Sequence, residues 1–130
     1  MILIGHRFID SEELYHIDAI QSISKTPPNS TVYIFFNEEN LDIIKHCAKN
    51  GVKFALHVNS VAELIYAENL GAAYITVDAQ DAKNAQQIAN EYLFDAKILA
   101  LITDEEQIEE LAYQGIDGAL FTHAIIKITS

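Results

Sequence analysis

The chain has 130 residues, half of them hydrophobic, with 19 acidic against 8 basic side chains and a formal net charge of −11. That length makes one domain, residues 1–130, burying about two thirds of its unfolded surface without staples, and the lone cysteine, Cys47, permits no disulfide framework. The charge repels phosphate backbones and anionic lipid, so neither nucleic acid nor a membrane is an expected partner; no run reaches the ~18 apolar residues of a membrane span and no basic head precedes an apolar stretch, so a cytoplasmic location is expected.

A first strand is expected near Ile2 to Ile4. Asp10 with Glu13 then reads as a capping box opening a helix that carries His16 and ends at KTPPNS, 25 to 30, a turn rather than a domain linker. A strand near Val32 to Phe36 follows, then a helix whose apolar face (Ile43, Ile44, Cys47, Ala48) makes Cys47 a small buried hydrophobe and leaves His46 at the surface. The next strand is Val52 to Leu56, and a Ser60–Glu63 box starts a helix with Val61, Leu64, Ile65 and Ala67 on its apolar side. Strands at Ala73 to Val77 and Ile98 to Ile102 precede a Thr103–Glu106 box, whose acids Asp104, Glu105 and Glu106 suit a helix N-terminus. The last strand is Gly118 to Phe121.

One phrase recurs, in NGVKFAL, LGAAYITV and QGIDGALF: a glycine that ends a helix and, within one to three residues, an uninterrupted apolar strand. Such strands are covered on both faces, the mark of a parallel α/β sheet. The expected fold is an open, mainly parallel six-strand sheet with helices on both faces, flavodoxin-like, with a half TIM barrel as the alternative. An apolar open sheet can cover an edge by self-association, and a homodimer is the simplest form. A leucine-rich solenoid is excluded by the missing leucine and asparagine ladder.

Two resemblances emerge from these segments. From Gly51 to Ile126, FALHVNSVAELIYAENLGAAYITVD and ITDEEQIEELAYQGIDGALFTHAI resemble the C-terminal half of phosphate-binding TIM barrels such as indole-glycerol-phosphate synthase. That likeness implies a lyase or isomerase, but His57 stands where the family has a catalytic glutamate. Ile102 and Thr103 replace its Ser-Gly pair, and Thr122 and His123 replace its glycine-led phosphate loop. From the second strand onward the chain also resembles a response-regulator receiver domain, with Glu38, Glu39, Asp78 and Thr103 at matching places. This second likeness implies Mg²⁺ at the acidic cluster and phosphate on Asp78. His123 or Thr122 takes the place of that family's lysine, and the first strand-helix unit is foreign to it.

Both families bind ligands at the carboxyl ends of parallel strands. This chain places there His6 and Arg7, Asn37 and Glu38, His57 and Asn59, Asp78, Thr103 and Asp104, Thr122 and His123. Three of the five histidines fall on that edge. His57, Asp78 and His123 are the candidates for acid-base chemistry, and His6, His57, His123 and Asp78 for a divalent metal. His6, Arg7, Asn37, Asn59, Thr103 and Thr122 are candidate ligand-binding residues, and Arg7 suits a small anion because its guanidinium forks onto two oxygens. The structural alternatives are imidazoles bonding loop carbonyls, Arg7 paired with Asp10 or Asp78, and Asp78 capping the next helix. No HxH or HExxH spacing, glycine cradle or nucleophile-base pair occurs, which favours a non-catalytic ligand-binding or regulatory module over a small enzyme of TIM-barrel descent. Cofactor and ligand stay unnamed.

Overall fold

The structure is a computed structural model and describes residues 1–128. The strands are β1 (Ile2–Ile4), β2 (Leu14–His16), β3 (Thr31–Phe35), β4 (Phe54–His57), β5 (Tyr74–Asp78), β6 (Lys97–Ile102), β7 (Gly118–Phe121) and β8 (Ile125–Lys127). Helices α1 (Leu41–Lys49), α2 (Val61–Leu70), α3 (Ala82–Glu91) and α4 (Gln107–Tyr113) fill the connections from β3 to β7. All strand pairs are parallel, in the order β1-β7-β6-β5-β4-β3-β2-β8. None of the described helices is long and apolar enough to cross a membrane.

The sheet has eight strands where six were expected, and its helices lie on one face. From β3 to β7 each strand is laid beside the previous one in the same direction. Because such crossovers are right-handed, an unreversed order puts every helix on the same side; a doubly wound sheet needs a reversal that is absent here. The buried helix residues, among them Ile44, Cys47, Leu64, Ala85 and Leu111, join strand residues such as Val32, Ile34, Leu56, Ile75 and Ile98 in one outer core. Alternate strand residues point the other way. Ile4, Leu14, Tyr33, Ala55, Leu99, Leu120 and Ala124 form an inner core that no α-helix enters.

The link from β7 to β8 forces the sheet to curl. Only the 3-10 turn Thr122–Ala124 joins them, yet five strands lie between them in the sheet. Laid flat at ~4.8 Å per strand, their separation would be about 29 Å, while four peptide steps reach at most about 14 Å. The sheet is therefore a curled half-barrel, open between β1 and β8.

The recurring glycine phrase works as expected: Gly51, Gly71 and Gly115 all have positive φ, between 69° and 94°. Ser60 caps α2 by accepting from the Glu63 amide at 3.1 Å, while the Glu63 carboxylate takes the Asn59 amide. The expected Thr103–Glu106 box is displaced. Asp104 accepts from the Glu106 amide and Gln107 accepts from the Thr103 and Asp104 amides, so α4 starts at Gln107.

The helix expected from Asp10 to Pro27 is not formed. Residues 10 to 13 are irregular, β2 follows, and a 3-10 helix runs over Ile20–Lys25 before the turn closed by Ser30 N–H to Pro27 O. Glu12 is drawn instead into a polar cluster at the amino ends of the strands. Its carboxylate accepts from Thr31 Oγ1 at 2.6 Å and from the Tyr74 hydroxyl at 2.8 Å, with Lys53 Nζ at 3.5 Å. A side chain committed to long-range partners cannot serve a local box.

Cys47 is buried in α1, and burial pushes its thiol up to about 11. A thiolate-selective disulfide reagent should accordingly react with the native protein at least about a hundredfold more slowly than with unfolded chain. Equal rates would mean that α1 does not pack as described.

Candidate functional site at the mouth of the half-barrel

Because every strand runs the same way, all carboxyl ends open on one rim, where the inner face ends in a mouth of about 670 Å³. It is lined by His16, Tyr33, Phe35, Phe36, Asn37, His57, Asn59, Leu101, Thr122 and Ile125. Tyr33 and Phe35 on β3, and His16 on β2, share the inward parity of Leu14. The rings meet at angles: His16 and Phe35 centroids are 4.6 Å apart, His16 and Tyr33 5.4 Å, Phe35 and His57 5.9 Å. Phe35 is 47 % exposed although it sits among other rings.

His57 is buried there, 9 % exposed at the end of β4. Its Nδ1 lies 3.0 Å from Thr76 Oγ1, and that hydroxyl lies 3.4 Å from the Tyr33 hydroxyl. Thr76 thus links the Tyr33 hydroxyl to His57 Nδ1, and His57 Nε2 has no hydrogen bond within the described chain. Asp78 Oδ1 is 3.9 Å from Nε2. Asp78 makes no capping bond to the turn that follows it. Burial raises the Tyr33 phenol above its usual range, and the Asp78 charge adds to that; the Thr76 bond opposes both. Burial likewise pushes the His16 imidazole down, helped by Lys127 and opposed by Asp18, so His16 is neutral at pH 7.

The other predicted rim residues assemble separately. Glu105 binds His6 Nε2 at 2.8 Å and Arg7 at 3.0 Å. The Phe8 amide donates to His6 Nδ1, which fixes the proton of neutral His6 on Nε2, facing Glu105. The Arg7 bond, then the His6 bond, hold the Glu105 carboxyl below its usual range. Arg7 is thus paired with Glu105, not with Asp10 or Asp78. His123 Nε2 donates to the Gly5 carbonyl at 2.7 Å, the structural role weighed for these imidazoles. Thr103 and His123 line this second hollow of about 360 Å³, with His6 and Arg7.

The candidate trio of His57, Asp78 and His123 is therefore divided: His57 and Asp78 are together, and His123 belongs to the cluster around Glu105. The four candidate metal ligands do not gather, and no group of three or more His, Cys, Asp or Glu among the described residues could hold a metal ion. Asn37, His57, Asn59 and Thr122 do share the mouth. His16, Tyr33 and Phe35 were missed as site residues, His16 because it was placed on a helix. Their signal was period 2: Leu14 and His16, or Tyr33 and Phe35, alternate with Tyr15 and Ile34.

A third hollow, about 230 Å³, lies between the starts of α2 and α3, where Asp81 is its one titratable side chain. Neither the protein-family models nor the curated proteins include a match to this chain.

Proposed function

We propose that the protein is a binding module for a small organic ligand seated in the mouth of the half-barrel. The observation that carries this reading is Phe35, an apolar ring left 47 % exposed in a hollow that it lines together with His16, Tyr33, Phe36 and His57. Hollows of several hundred Å³ with few convergent polar groups are the usual form of small-molecule sites. The side chains of Asn59 and Thr122 make no hydrogen bond within the described chain and are available to a ligand. The resemblance to phosphate-binding TIM barrels supports the location but not the phosphate. Gly5, the glycine at this rim, would place an added Cβ 2.8 Å from Ala124 Cβ, so its missing side chain makes room for packing rather than for a ligand.

Fragment screening by heteronuclear NMR tests the proposal. Planar aromatic probes at millimolar concentration should shift His16, Phe35, His57 and Asn59 signals, and Phe35→Ala should weaken the best probe about tenfold. Shifts confined to other surfaces, or none, would remove the reading.

An enzymatic reading is favoured by one observation, the Tyr33–Thr76–His57 chain with Asp78 beyond it, which orients the imidazole and leaves its Nε2 without a hydrogen bond. It is a lyase or isomerase reading with His57 as acid-base group, and here His57→Ala would abolish turnover while His123→Ala would not. We also place the protein in the cytoplasm, in keeping with a buried free thiol. A homodimer through the unpaired edges β1 and β8 completes the proposal; light scattering showing only monomer at micromolar concentration would remove it.

A further inference from the structure

Acids outnumber bases at the carboxyl ends of the central strands of the half-barrel. The carboxyl ends of β3, β5 and β6 and the loops that leave them carry Glu38, Glu39, Asp78, Asp81, Asp104, Glu105 and Glu106, and no lysine or arginine. Lys25, Lys49, Lys53 and Lys97 lie toward the opposite end, at the close of helices or the start of strands. Helix N-termini explain part of this sorting, since carboxylates complement their partial positive charge. They do not explain Asp78, which caps nothing and stands 3.9 Å from the unbonded Nε2 of a nine-tenths-buried His57.

Cations near the mouth are already spoken for. Arg7 is paired with Glu105, outside the mouth, and Lys127, which borders His16, is paired with Asp18 at 3.3 Å. None of the ten lining residues is Lys or Arg. A carboxylate or phosphate ligand would therefore find no lysine or arginine among the lining residues and would have the Asp78 carboxylate beside His57. A planar group would find ring faces on Phe35 and His16, and a positive one would find Asp78.

Resting on the reading of the mouth as a ligand site, we propose that its ligand is a planar nitrogen compound bearing positive charge, such as an amidine or a protonated amino-heterocycle. The ring stacks on Phe35 beside His16, and the charged nitrogens face Asp78 across the rim, with the Asn59 amide and the Thr122 hydroxyl as neutral partners. Cation-π attraction to Phe35 works in the same direction as the carboxylate.

Three probes of one shape test this: benzamidine, benzyl alcohol and benzoate, titrated at low salt into the whole chain and followed at the His57 and Asn59 NMR signals. Benzamidine should bind about tenfold more tightly than benzoate, with benzyl alcohol between them. Asp78→Asn should cut that preference to within about twofold while benzyl alcohol binding is unchanged, and added salt should shrink it in the parent protein. Benzoate binding in the mouth as tightly as benzamidine, or a preference that survives Asp78→Asn, overturns the charge assignment and leaves the binding reading standing. Failure of all three probes to shift mouth signals overturns both.

Discussion

Alanine at position 118 should lower the melting temperature by about 10 °C, corresponding to about 2–3 kcal/mol. Gly118 opens β7 where β1 crosses closest: an added Cβ would lie 2.7 Å from the Ile2 carbonyl oxygen, 2.7 Å from Leu99 Cδ2 and 2.8 Å from Ile2 Cβ. Leu99 can change rotamer, but the Ile2 carbonyl belongs to the ladder that holds β1, together with Ile2 N–H to Asp117 O at 2.8 Å. Relief therefore requires β1 to move away, and β1 is an edge strand of three residues with no strand paired on its other side among the described residues. Gly115→Ala supplies the comparison. Nothing lies within 4 Å of its added Cβ, but its φ of +72° strains an L side chain, a cost of about 1 kcal/mol. A smaller loss at 118 than at 115, measured by thermal unfolding, would contradict the close β1–β7 approach.

Glu12→Ala should cost about 1–2 kcal/mol at pH 7 and flatten the acid limb of the stability profile. Thr31 is fully buried and loses the acceptor for its hydroxyl, while Tyr74 and Lys53 lose their shared partner. The lower end of the usual range applies because the Glu12 side chain keeps 35 % exposure and its ion pair with Lys53 is screened. Burial acts to raise the Glu12 carboxyl, but the bonds from Thr31 and Tyr74 and the Lys53 charge together hold it below the ordinary value. A depressed carboxylate stabilises the fold fully above the unfolded value of about 4.3 and loses that contribution as pH falls through the folded value. Chemical denaturation from pH 6 down to pH 2 should show parent and variant curves converging at the acid end. Parallel curves would mean that Glu12 carries no such linkage.

The chain announces most of its framework locally. Gly51, Gly71 and Gly115, the Ser60 cap and the long apolar runs locate four of the five inner strands of the βα series without any tertiary knowledge, and Thr31–Phe35 by its β-branched and aromatic residues. Strands β2 and β8 escape because three residues provide too little alternation to outweigh a capping-box pattern such as Asp10–Glu13. Their pairing is with residues far away in sequence, His16 beside Tyr33 and Lys127. Strand order escapes for the same reason, and with it the single-sided helices. The rim positions are readable from the rule that ligands gather at carboxyl ends, but the grouping of Asn37, His57, Asn59 and Thr122 in one hollow comes from strand order and is not readable. The separation of His123 from His57 depends on which strands adjoin, which no local pattern encodes.

The three-residue bridge between β7 and β8 also bears on how the chain reaches its native state. Gly5 and His123, in contact at 2.7 Å, are 118 positions apart, and β1 finds its strand partner in β7 and β2 its outer partner in β8. The middle units can form successively from neighbours, whereas both flanks must wait for the far end of the sequence. Such distant pairings raise contact order and slow the search. The expected kinetics are a fast phase that assembles β3 to β7 with their helices, followed by a slower one in which β1 on one side of the opening and β2 with β8 on the other are recruited. Until that second phase is complete, β3 and β7 present unpaired edges, and it is in that interval that association between chains is most to be expected.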